Sequence, residues 1–86
     1  MIIRSHRKFR KKFDRLDANK QRKINEAITL FVHNPFDIRL RNHALHGQMN
    51  HRRSIKADYD LRIVFEEFEN YTLVLFLDVG GHGEVY

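Results

Sequence analysis

Cysteine is absent from the 86-residue sequence, so neither a disulfide framework nor a thiolate zinc site can staple the fold. Stability must come from packed aliphatic side chains and seven phenylalanines, in a chain long enough for one modest core and one domain, residues 1–86. Absent too is any apolar stretch able to cross a bilayer: the longest, residues 71–79, is far too short. Charge begins at Arg4 with no apolar segment behind it, which removes the signature of a targeting peptide; a soluble, cytoplasmic protein with no membrane partner is the simplest expectation. No segment repeats and none is of low complexity.

The most informative absence is of positive charge beyond Arg62. All 16 Lys and Arg residues stand in positions 1–62 against 6 acids, a net +10, whereas positions 63–86 hold 5 acids and no base, a net −5. A small domain polarised in this way suits a polyanion on one surface, nucleic acid or an acidic protein segment. A solvated basic helix face is the plainer alternative.

Periodicity supplies the elements. Residues 1–4 read as a short strand, and Ser5 as the N-cap of a helix running to about Leu16, with Phe9, Phe13 and Leu16 on its inner face. Its outer face carries Arg7, Lys8, Arg10, Lys11, Lys12 and Arg15. Ile24, Ala27, Ile28 and Phe31 form the stripe of a second helix that stops near Asn34, before the single proline, Pro35. The short join makes the pair a helical hairpin. Residues 36–46 read as irregular or a helical turn, residues 47–50 as a turn, and Arg53–Asp58 as a strand; Leu61, Ile63 and Phe65 alternate along a second strand, and residues 71–79 make a third. The expected class is α+β in two layers, an N-terminal strand and a helical hairpin packed on a small antiparallel β-sheet whose other face is open for a ligand.

Metal-free cleavage of RNA needs a base for the 2′-hydroxyl proton, cations for the phosphate and an acid for the leaving 5′-oxygen. His82, placed behind Gly80-Gly81 at the end of the apolar run, can exchange a proton near neutrality. Arg53, Lys56 and Arg62 can hold phosphate, with Arg52 beside them, and Tyr86 can orient the nucleophile or stack on a base. His43 and His46 are three apart, a spacing that invites a metal on a helical turn, but with no Cys and no carboxylate at ligand spacing neither a metal nor another cofactor is expected. His43 is better read as a base or phosphate ligand and His46 as a surface residue. Each residue also has a purely structural reading.

The order of these pieces resembles the RelE/ParE toxin superfamily over nearly the whole chain. The specific parts are His43-Ala44-Leu45-His46-Gly47 and Gly80-Gly81-His82-Gly83-Glu84-Val85-Tyr86, which look like its messenger-RNA interferase branch of YafQ-, YoeB- and RelE-like toxins. The resemblance implies a RelE-like fold and a type II toxin–antitoxin function: a ribosome-dependent endoribonuclease that cuts messenger RNA in the A site and inhibits translation. It implies as partners the ribosome, messenger RNA and a cognate antitoxin whose acidic segment wraps the domain. By position, His82 matches the family's general acid, Tyr86 its C-terminal aromatic, His43 an upstream catalytic histidine, and Arg62 a phosphate-binding arginine. Lys56 and Asp60 match further catalytic positions. Ribosome docking would fall to Lys8, Lys11, Lys12 and Arg15 on the first helix, with Arg52 and Arg53 as further RNA contacts.

Two departures stand out. Many members read Asp-Tyr-Arg without interruption, whereas Asp58-Tyr59 is followed here by Asp60-Leu61 before Arg62; and Asp78 stands where some active members carry an arginine, so that charge stabilisation would rest on Arg62 and Lys56. The alternatives are a ParE-like inhibitor of DNA gyrase without nuclease activity, against which His82 and Tyr86 together argue, and a non-toxic small RNA-binding module.

Overall fold

Phe9 and Phe13, one turn apart, decide how the first helix lies. In the computed structural model, which describes residues 1–49 and 51–86, strand β1 (Ile2–Ser5) leads into helix α1 (Arg7–Arg15) and then helix α2 (Ala18–His33). Phe9 is buried against Phe76 with ring centroids 5.3 Å apart. Asp17 caps α2 by accepting the Lys20 N–H at 2.9 Å, and the helix ends at Asn34 as Pro35 requires. Ile24, Ala27 and Phe31 turn inward, and Phe31 meets both Phe65 and Phe76 edge-on.

The expected N-cap at Ser5 is corrected to His6. Ser5 still belongs to the strand, paired with Phe76, so the chain turns one residue later and His6 Nδ1 accepts the Lys8 N–H at 3.0 Å. The helices rest on the sheet more than on one another: α1 lies on the last strand, α2 on the two strands in the middle.

After α2 the chain makes a 3₁₀ turn (Ile38–Leu40), strand β2 (His43–Ala44), a second 3₁₀ turn (Gly47–Met49) and the meander β3 (Arg53–Asp58), β4 (Leu61–Phe68) and β5 (Leu73–Gly80). The turn expected over 47–50 is helical as far as Met49; Asn50 lies outside the described residues. The sheet has five strands in the order β1-β5-β4-β3-β2. It is mixed rather than antiparallel, because β1 runs parallel to β5 and covers its outer edge. Strand β2, expected to be irregular, pairs antiparallel with Arg53 and Ser54. Ile55, Ile63, Phe65, Val74, Phe76 and Val79 join the helix residues in one core.

The tail behind the two glycines, to which the sequence assigns no element, folds into a single helical turn, α3 (His82–Val85). This turn lies against β4 and β5 and buries Val85, so the sheet face opposite α1 and α2 is only partly open. Among the described residues no helix is long and apolar enough to cross a membrane.

Candidate active site

Register brings the candidate side chains to the same end of the sheet. His43 pairs with Ser54, and Arg62 stands between Lys56 on one neighbouring strand and Gly80 on the other. Immediately past Gly80, α3 carries His82 and Tyr86 four residues apart on one side of its turn. His43, Arg62, His82 and Tyr86 line one cleft of about 680 Å³, together with residues of the segment between α2 and β2.

Within the cleft each group is held differently. His43 donates from Nδ1 to the carbonyl of Arg41 at 2.8 Å. A carbonyl partner requires a proton on Nδ1, so Nε2 is the nitrogen free to take up or release one. The His82 and Tyr86 rings meet edge-on, with centroids 4.5 Å apart and planes at 88°. The Tyr86 hydroxyl donates to the buried Ser54 hydroxyl, which ties the tail to β3. Arg62 and Arg41 make no ion pair among the described residues. Arg41 sits in the left-handed conformation, φ 49°, on the cleft wall. The cleft thus has two guanidinium groups, two imidazoles and a phenol. It also has one carboxylate, Asp37, whose pKa falls to about 2 because the Arg39 side chain and backbone N–H both donate to it.

The two glycines have a steric reason. Gly81 is the N-cap of α3 and has no side chain to accept a helix N–H; Asp60, from the β3–β4 turn, accepts the His82 N–H in its place at 3.0 Å. A Cβ on residue 81 would fall 2.9 Å from the Asp60 Oδ2, so the cap and the glycine require each other. Glu84 closes the turn by accepting the Gly81 N–H at 2.9 Å.

Asp60 therefore touches the backbone under His82 and is not among the residues lining the cleft, and neither is Lys56, although Lys56 is the strand partner of Arg62. Asp78 is not a cleft residue either. Its carboxylate is buried and contacts Lys12 Nζ at 2.7 Å and Lys8 Nζ at 3.2 Å on α1. Burial pushes the Asp78 pKa up, but hydrogen bonds from Lys12 and Lys8, with the charge of Lys12 and the Val79 N–H, outweigh it and hold the group below the ordinary carboxylate range.

The basic residues expected to contact RNA separate accordingly. Lys8 and Lys12 are engaged with Asp78, while Lys11 and Arg15 make no ion pair among the described residues. Arg52 lies 3.7 Å from Glu66, and Arg53 donates to the Asn42 side chain at 2.8 Å. His46 falls in a separate groove with His51 and Arg52, away from His43. Among the described residues no three His, Cys, Asp or Glu side chains form a metal-ligand set.

Five cleft residues were not expected from the sequence: Phe36, Asp37, Ile38, Arg41 and Asn42. Asn42 donates to the Pro35 carbonyl and to the Tyr71 hydroxyl, each at 3.0 Å, while accepting from Arg53, and so fixes the segment that carries His43. Nothing periodic marks residues 36–42; the one available signal was Arg41, a cation two positions before a candidate histidine.

No protein-family model and no curated protein sequence matches the chain. Solved structures do. The chain is similar to the YoeB/ParE toxin from Agrobacterium tumefaciens, with a TM-score of 0.79 at 20% identity over 95% of this chain and 99% of that one. It is similar to YafQ from E. coli, with a TM-score of 0.75 at 19% identity over 98% and 96% of the two chains. It also matches a chain of the E. coli DinJ-YafQ toxin-antitoxin complex, with a TM-score of 0.72 at 19% identity over 98% and 94%. The fold is that of the RelE/ParE-like toxins.

Proposed function

We propose that the chain is the toxin of a type II toxin–antitoxin pair and that its cleft cuts messenger RNA on the ribosome by metal-free acid–base catalysis. The observation that carries this reading is the meeting of His43, Arg62, His82 and Tyr86 in one cleft from three separate elements. Nε2 of His43 takes the proton of a 2′-hydroxyl, and the 2′-oxygen attacks the adjacent phosphorus. As the bond to the 5′-oxygen breaks, His82 gives that oxygen a proton, leaving a 2′,3′-cyclic phosphate and a free 5′-hydroxyl. Arg62 and Arg41, which no carboxylate neutralises among the described residues, stabilise the charge gathering on the phosphoryl oxygens. Asp78 does not oppose this charge, since Lys8 and Lys12 already balance it.

Lys11 and Arg15 supply phosphate contacts for ribosomal RNA. The basic face of α1 also suits an acidic antitoxin segment, a partner supported by the similarity to YafQ in the DinJ-YafQ toxin-antitoxin complex. The test is expression of the chain alone with mapping of 5′ ends on cellular messages. Cuts phased with codons that vanish in His82→Ala are expected. Growth arrest with DNA damage and no cuts would make the protein a gyrase poison instead, and unimpaired growth would leave only RNA binding.

A further inference from the structure

The cleft has a wall that the acid–base chemistry does not use. Phe36 lies in it and is 58% exposed, and Ile38 beside it is 88% exposed. Single exposed apolar side chains are ordinary on a protein surface. This one is unusual in how firmly it is held. The Arg53 guanidinium lies over the ring at 5.8 Å from its centroid, and Tyr71 meets it edge-on at 5.3 Å. Arg53 and Tyr71 are themselves both hydrogen-bonded to Asn42, and the Phe36 N–H donates to the Asn34 side chain at 3.0 Å. Tyr86, the other aromatic of the cleft, is committed to His82 and Ser54.

Resting on the nuclease reading, we propose that Phe36 is the platform on which a nucleobase of the substrate stacks, a base-binding subsite separate from the reacting phosphate. An aromatic ring braced in advance loses little freedom when a base lands on it, and every base has a π-face to offer. Arg53, as a cation over the ring, strengthens the brace. Arg41 and Arg62, which line the same cleft, hold the reacting phosphate beside the stacked nucleotide. The subsite selects for an unpaired strand, because a base inside a duplex has no free face to present.

The test uses a fluorescent single-stranded RNA with 2′-deoxy sugars, which binds without being cut, and a series in which each base in turn is removed. Phe36→Ala and Phe36→Leu are expected to weaken binding by about five-fold or more, and Phe36→Tyr to retain it. For the native chain, one abasic position should cost as much as Phe36→Ala does, and Phe36→Ala should lose nothing further at that position. Equal binding by Phe36→Ala, no binding by the native chain, or an abasic penalty that persists in Phe36→Ala would overturn the subsite. Melting curves of the variants separate lost stacking from lost fold. Cleavage of ribosome-bound message keeps the two ideas apart. Cutting with an unchanged KM in Phe36→Ala sinks the subsite and spares the nuclease, whereas Phe36-dependent binding without any cutting does the reverse.

Discussion

The carboxylate of Asp60 accepts the backbone N–H of His82 at 3.0 Å, so a turn between two strands holds the first residue of α3. Under the proposed nuclease function this contact makes Asp60 a positioning residue, a role separable from acid–base work. Asp60→Asn keeps an acceptor oxygen and should retain most of the cleavage rate. Asp60→Ala should lose about 1 kcal/mol of local stability and slow cleavage, with faster hydrogen exchange at the His82 amide. Equal loss in both variants would point to a proton-transfer role.

The same contact predicts an unusual double variant. Gly81→Ser would ordinarily improve a helix N-cap, but here its Cβ meets Asp60 and the variant should be less stable than the native chain. In the Asp60→Ala background the 2.9 Å clash is removed, leaving a 3.2 Å approach to the flexible Glu84 Oε1, and the serine supplies the missing acceptor, so Gly81→Ser should become stabilising there. Thermal unfolding of the four proteins measures the change of sign directly.

Asp78 ties α1 to β5 through Lys8 and Lys12 and makes that contact sensitive to acid. Its folded pKa lies below the unfolded one, so its stabilising effect is complete above the ordinary carboxylate pKa and disappears as pH falls through the lowered value. Asp78→Asn should cost about 2 kcal/mol at neutral pH, because it leaves Lys12 against a buried neutral group. The gap between native and variant melting temperatures should close on acidification; a gap independent of pH would show that packing, not charge, is at work.

Charge reversal on α1 should divide into two outcomes. Lys11→Glu with Arg15→Glu touches no ion pair among the described residues. It should change stability by no more than about 0.5 kcal/mol while weakening ribosome association, most visibly at low salt. Lys12→Glu sets a second carboxylate against Asp78 and should lower the melting temperature. Sedimentation with ribosomes at several salt concentrations, beside melting curves, reads both.

Both helices, the meander and the stripe of Ile24, Ala27 and Phe31 were legible because each rests on local periodicity. The parallel placement of β1 was not, since Ile2 finds its partner at Leu73, and no local pattern encodes so distant a register. Strand β2 is two residues long, below the length at which alternation can be seen. His43, Arg62, His82 and Tyr86 were singled out by the chemistry they can perform and by their resemblance to family positions, and the fold places them in one cleft. Asp60, Lys8 and Lys12 were read as functional by charge and position, whereas their contacts are with a backbone N–H and a buried carboxylate. Phe36 and Asn42 went unseen because their importance lies in a network whose other members, Arg53 and Tyr71, are far along the chain.

Pairing Ile2 beside Leu73 has a consequence for the order of events when the protein is made. The helices emerge before β5, the strand on which α1 lies, so α1 waits without that surface to cover. Contacts so distant along the chain form slowly, and the cleft lined by His43 and His82 is complete only once β5 stands between β1 and β4. A nascent fragment that lacks β5 therefore lacks the assembled cleft as well.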